Sequence, residues 1–203
     1  ALEREHTRAR IRQLAFYDGL TGLPNRSLLQ ANADQAMAAA ARNDEQLAVL
    51  FIDLDRFKQV NDSFGHPGGD ELLRVVARRL QEQTGPMDIV GRLSGDEFVM
   101  VLAACDAQSA AERAERILRR LSLPLQLDDV QIRPSASVGI SMFPHDGHDT
   151  ETLLHHADMA MYQAKHSGRN LARFYSCEMD QSAQERLALE NALREALALG
   201  QLQ

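Results

Sequence analysis

Tryptophan is absent from this 203-residue chain, and aromatic residues make up only 5% of it. Acidic residues outnumber basic ones, 29 to 22, for a net charge of −7. With few rings to stack on bases and no basic surplus to meet a phosphate backbone, an extended nucleic-acid surface is excluded. Any bound phosphate has to be met by a few placed cations and a metal instead. The chain has two cysteines, Cys105 and Cys177. Their spacing fits neither a metal site nor a redox motif, so the expected setting is the reducing cytoplasm. No apolar run approaches the ~20 residues of a membrane span, and no secretory leader is visible. That leaves room for a membrane anchor upstream. Internal repeats and low-complexity tracts are lacking too.

What is present suffices for one good-sized domain, with 44% hydrophobic residues to fill a core. Residues 1–15 are charged and helix-prone, with apolar positions too sparse for a core face, and read as a connecting helix. "DGLTGLPNR" (18–26) is loop chemistry, and an Ala-rich helix follows to about Arg42. "QLAVLFIDLD" (46–55) is nearly continuous in apolar residues, as expected of a central strand covered on both faces. A short helix, a Gly/Pro loop and a long helix with Leu72, Val76 and Leu80 on one stripe come next.

Then follow a hairpin over 88–103, a helix near 108–121, and strands near 124–133 and 136–143. The helix at 150–168 has Leu154, Ala157, Met161 and Ala164 on one stripe and stops at Gly168. "NLARFY" reads as a short closing strand. Residues 180–200 form a last amphipathic pattern with Leu189, Leu193 and Leu197. Strands and helices mix without regular alternation. The expected fold is therefore an α/β (α+β) sandwich with a mostly antiparallel central sheet wrapped by helices.

The stretch "GRLSGDEFVMVL" (91–102) breaks a strand-like run with Ser94-Gly95 and two adjacent carboxylates, Asp96 and Glu97. A plain hairpin turn needs one acid at most. Asp53 and Asp55 sit two residues apart at the end of the central strand, and hence on one face. If the 94–97 turn lies beside that strand end, Asp53 and Asp96 can share a hard cation such as Mg²⁺, with the Leu54 carbonyl completing the shell. Asp55 itself reads better as an N-cap for a helix starting at Arg56. Asn61 and Asp70 offer an amide and a carboxylate, a pair able to read guanine. Asp70 also reads as an ordinary helix N-terminal charge. Lys58 stands one turn into its helix, while Lys165 and Arg169 lie at a helix C-terminus, where cations are favourable in any case. The histidines of "HDGHDTETLLHH" (145–156) fit no common closed zinc site.

Taken together, "DGLTGLPNR", "FIDLDRFKQVNDSFGHPGGDELLR", "GRLSGDEF", "SVGIS" and "ADMAMYQAKHSGRN" closely resemble the GGDEF family of diguanylate cyclases over about residues 16–176. The resemblance implies a fold similar to the palm of nucleotidyl cyclases and polymerases. It implies condensation of two GTP into cyclic di-GMP, with Mg²⁺ (or Mn²⁺) as cofactor and a homodimer, because one domain holds one GTP. Carried onto this chain, Asp53, Leu54 and Asp96 hold the metal. Asp96 takes the 3′-hydroxyl proton, with Glu97 in support. Asn61 and Asp70 read guanine, His66 lies in the substrate loop, and Lys58, Lys165 and Arg169 meet phosphates. Ser94 replaces the first glycine of the signature beside Gly95, which is expected to weaken catalysis. The Arg-x-x-Asp inhibitory product site is incomplete: Asp88 is present, but Gly85 stands at the Arg position. Residues 177–203 resemble a linker and the opening helix of an EAL phosphodiesterase domain, implying a GGDEF–EAL tandem with an upstream sensor. The alternative is a GTP-binding module that regulates the attached phosphodiesterase without cyclising GTP.

Overall fold

The computed structural model describes residues 15–177 and Met179. The expected connecting helix over 1–15, apart from its last residue, and the expected EAL helix over 180–200 lie outside the described residues. In chain order the elements are α1 (Arg26–Asn43), β1 (Leu47–Leu54), α2 (Phe57–Gln81), β2 (Ile89–Ser94) and β3 (Glu97–Leu102). Then come α3 (Ala107–Leu121), β4 (Leu125–Leu127), β5 (Val130–Ile132), β6 (Ala136–Phe143), α4 (Thr150–His166) and β7 (Ala172–Phe174).

Five strands form one sheet in the order β2-β3-β1-β6-β7. All pairings in it are antiparallel except β6 with β7, which is parallel. All eight residues of β1 are buried. Strand alternation divides them between two cores. Ala48, Leu50, Ile52 and Leu54 enter a core with α2 and α3, while Leu47, Val49 and Phe51 enter one with α1 and α4. The run is continuous in apolar residues because both faces are covered.

β6 shows how the α4 side is built. Its α4-facing positions are Ser137, Gly139 and Ser141, all small. A Cβ on Gly139 would stand 1.8 Å from the Ala157 carbonyl oxygen and 2.2 Å from the Met161 nitrogen. Ser141 Oγ donates to the Leu153 carbonyl at 2.7 Å. The helix backbone therefore lies directly on the strand, which fixes the height of everything α4 carries.

Two expectations are corrected, at 124–133 and on α4. The stretch 124–133 is a two-stranded ribbon, β4 with β5, turning at Asp128 with φ 49°. The acidic pair Asp128-Asp129 supplies a tight turn inside what reads as a single run. The short and long helices expected on either side of the Gly/Pro loop are present and meet at a non-helical break at Gly65 (φ 68°, ψ 179°), so the span Phe57–Gln81 is two helices with almost no loop between them. On α4 the buried stripe runs through Leu153, Ala157, Ala160, Met161 and Ala164, with Leu154 only half-buried.

Candidate active site

Register alone brings the acids together. Asp53, the last charged position of β1, pairs directly with Glu97 at the start of β3. Ser94 pairs with Glu97 across the hairpin, leaving Gly95 and Asp96 as the two turn residues. Gly95 takes φ 47°, a left-handed conformation that costs glycine little. The Leu54 amide lies 3.3 Å from the Asp96 carbonyl oxygen, so the turn folds onto the strand end. Two acidic ends meet at one rim of the sheet.

α4 delivers the cation. Lys165 Nζ stands 2.8 Å from Asp53 Oδ1. Asp53 is only 5% exposed. Burial pushes its pKa up to about 6 against the pull of Lys165, with Asp96 and Glu97 adding to the rise. The Asp96 carboxyl is likewise raised, first by burial and then by Glu97, with Lys165 and Arg92 opposing. Three carboxylates with one lysine among them are short of positive charge. Among the described residues no three histidine, cysteine or acidic side chains converge tightly enough to hold a metal unaided. Mg²⁺ usually takes one or two carboxylates and completes its shell with water and substrate phosphate. The donor set fits a hard divalent cation.

Ser94 has no positive φ, so serine fits this position without backbone strain. Its hydroxyl donates to Glu97 Oε2 at 2.9 Å. The substitution therefore acts on Glu97 rather than on the turn's conformation.

Arg92 and Asp18 belong to the site although sequence reasoning gave them no role. Arg92 reaches the Gly95 carbonyl through Nε (3.0 Å) and Nη2 (2.7 Å), and Asp18 through Nη1 at 2.9 Å. Asp18 also accepts from the Thr21 amide and hydroxyl. Burial works against the Asp18 charge, but Thr21 and Arg92 together hold its pKa below the ordinary value. The loop "DGLTGLPNR" is thus riveted to the signature turn. Arg92 stands inside the signature stretch, but its partner Asp18 lies 74 residues away.

Asp55 is not an N-cap. Arg56, in a left-handed conformation (φ 57°, ψ 27°), precedes α2, and no side chain caps the helix. Asp55 instead accepts from Ser137 Oγ and Ser135 Oγ, both at 2.7 Å, and from the Asn170 amide at 3.0 Å. It ties the end of β1 to the start of β6 and to the Gly168–Asn170 turn. The uncapped first turn of α2, with exposed Lys58 in it, leaves amide groups free for an anion.

Asn61 sits against Gly69, where a Cβ would lie 1.9 Å from its Oδ1, so Asn61 meets the segment entering Asp70 across the Gly65 break. His66, Lys58 and Arg169 are exposed. No ion pair or side-chain hydrogen bond links these three or Asp70 to the carboxylates among the described residues. Asp88 is drawn inward instead. It pairs with Arg113 and accepts from the Gly85 amide (2.5 Å) and the Ala103 amide (3.1 Å). With two guanidinium contacts added, its acceptor positions are filled. Burial opposes the charge, but Arg113 and these amides hold its pKa low. Here Asp88 is a structural residue. His156 is likewise engaged, Nδ1 on the Asp146 carbonyl at 2.6 Å and its ring stacked on Tyr175.

A mixed sheet that brings two acidic strand ends and one cationic helix end to a single rim is a cyclase-fold arrangement. Residues 15–171 match the family model described as diguanylate cyclase, GGDEF domain. The chain belongs to that family. It is 46% identical over 190 residues to MucR of Pseudomonas aeruginosa, a bifunctional diguanylate cyclase/cyclic di-GMP phosphodiesterase, covering 94% of this chain and 28% of MucR. It is 42% identical over 201 residues to the cyclic di-GMP phosphodiesterase PdeR of Escherichia coli, covering 98% and 30%. Among solved structures, the GGDEF domain of TpbB (YfiN) from Pseudomonas aeruginosa superposes with a TM-score of 0.80 at 39% identity, covering 83% of this chain and 99% of that one. The chain spans less than a third of the length of MucR and PdeR.

Proposed function

We propose that this domain condenses two GTP into cyclic di-GMP with release of two pyrophosphates, as one half of a homodimer. The observation that carries the reading is the convergence of Asp53, Asp96 and Glu97 with Lys165 at the rim of the sheet. Asp53, the Leu54 carbonyl and Asp96 would hold Mg²⁺ or Mn²⁺, which supplies charge stabilisation at the reacting phosphate. Phosphates lie over the uncapped start of α2, met by Lys58, Lys165 and Arg169. Guanine sits at Asn61 and Asp70, beside His66. Asp96, with its raised pKa, accepts the 3′-hydroxyl proton, since a base works best when its pKa approaches the working pH. The oxygen then attacks the α-phosphate held by the second copy, and the bond to pyrophosphate breaks. One copy supplies one nucleotide, so two must face each other.

The longer protein carries a phosphodiesterase domain after residue 177 and a sensor before residue 1, and works in the cytoplasm. MucR, named for both activities, supports the attached phosphodiesterase. A second reading is a GTP-binding module that regulates the phosphodiesterase. The Ser94 hydroxyl on Glu97 favours it, as does the phosphodiesterase name of PdeR. Incubation of the chain at high concentration with GTP and Mg²⁺, followed by chromatography, decides between them. Cyclic di-GMP from the parent but not from Asp96→Ala establishes the cyclase. Saturable GTP binding without product establishes the module. With Asp88 consumed by Arg113, added cyclic di-GMP leaves the rate unchanged at sub-micromolar concentrations.

A further inference from the structure

The segment Phe57–Phe64 has two sides. At 3.6 residues per turn, Lys58 and Asn61 fall on one side, and Gln59, Val60 and Ser63 on the other. The second side backs onto an open cavity of about 310 Å³, bounded across from it by the Ile132–Ser135 segment that leads from β5 into β6. Its walls are apolar at Val60, Phe64, Leu72, Ile132 and Pro134. Two guanidiniums, Arg56 and Arg133, flank it from opposite elements. Both are exposed, and neither has a hydrogen-bond or ion-pair partner among the described residues.

The one acid in the lining, Asp55, is already engaged by Ser135, Ser137 and the Asn170 amide. It does not neutralise either arginine. A small cavity with an apolar shelf, hydroxyl and amide groups at Ser63 and Gln59, and a free guanidinium on each flank has a definite complement. That complement is a compact anion with a flat apolar body. Guanidinium forks favour phosphate oxygens, which accept two parallel N–H bonds. The volume lies at the small end of ligand cavities, enough for one ring and one phosphate.

We propose that this cavity is a binding site for a small aryl or heteroaryl phosphate monoester, adjoining the GTP site at Leu54 and Arg56 but lying on the other side of the Phe57–Phe64 segment. Phosphate is held between Arg56 and Arg133, and the ring lies on Val60, Phe64 and Pro134. The inference does not depend on whether the domain cyclises GTP.

The test is a titration of the ¹⁵N-labelled chain with phenyl phosphate, followed by amide shifts, with inorganic phosphate and benzyl alcohol in parallel. Phenyl phosphate is expected to give saturable shifts at Ser63, Ile132 and Arg133 while the amides of Lys165 and Arg169 stay put. Arg133→Ser is expected to weaken binding about tenfold, the loss of one charged hydrogen-bonding partner. Since Arg133 is exposed, the melting temperature of that variant serves as the folding control, and Arg56→Ser is the second variant. Inorganic phosphate and benzyl alcohol, each carrying half of the chemistry, are expected to bind more weakly. Four results overturn the proposal: no saturation, shifts centred on the Lys165–Arg169 turn, unchanged affinity in both arginine variants, or inorganic phosphate binding as tightly as phenyl phosphate.

Discussion

Asp53→Asn is expected to stabilise the metal-free domain while abolishing cyclic di-GMP synthesis. In the folded chain the Asp53 carboxyl has a pKa of about 6, against about 3.9 in an unfolded one. Burial disfavours its charged form, so between these values the folded state binds more protons, and stability falls as pH rises. The contribution is intact below about pH 4 and lost through pH 6, the difference being about two pH units or ~3 kcal/mol. That figure already contains the attraction of Lys165. Asparagine resembles the neutral acid and escapes the loss. Denaturation of parent and variant in chelator should show the gap between them widening by ~3 kcal/mol from pH 4 to pH 7. For a domain of this size that is about 6–12 °C in melting temperature. Added Mg²⁺ should close the gap by stabilising the parent alone, since only the parent keeps both carboxylates. A gap that does not change with pH, or that Mg²⁺ leaves open, refutes the account of Asp53 as an ion held under strain for a metal.

Gly139→Ala places a methyl within 1.8 Å of the Ala157 carbonyl oxygen; a loss of at least ~3 kcal/mol or failure to fold is expected in urea denaturation, since backbone must move. Arg92→Ala frees both the Gly95 carbonyl and Asp18; steady-state assays should show synthesis down roughly tenfold to a hundredfold, because the turn that carries Asp96 is no longer held in place. Its stability cost should be only about 1–2 kcal/mol by denaturation. Ser94→Gly and Ser94→Ala both release Glu97 Oε2; both should raise synthesis by a similar factor, about two- to tenfold. A gain confined to glycine would show that backbone freedom, not the hydroxyl, is what serine removes.

Much of this was legible in local sequence. β1 announces itself because a run buried on both faces needs no polar alternation, and the 94–97 hairpin because turn residues interrupt two strand-forming runs. The 94–97 turn does lie beside the end of β1, but that depends on the β1–β3 register, which neither segment encodes by itself. What stayed hidden depends on contacts between distant parts of the chain. Asp55 looks like a helix cap locally, and its partners Ser135 and Ser137 lie 80 and 82 residues away. Asp88 keeps its place in a binding pattern, yet Arg113, 25 residues on, turns it into an internal tie. Arg92 stands inside the signature stretch, but its work shows only when Asp18 arrives beside it. The parallel placement of β7 likewise follows from where α4 delivers the chain, which three residues of strand do not encode.

One carboxylate, Asp55, ties the strand end bearing Asp53 to the turn bearing Arg169. The gap between these two walls is therefore set by hydrogen-bond lengths rather than by flexible side chains. With the phosphates placed as proposed, a fixed opening there would gauge the length of the phosphate chain laid across it, and a nucleotide with one phosphate fewer is expected to bind more weakly in a titration.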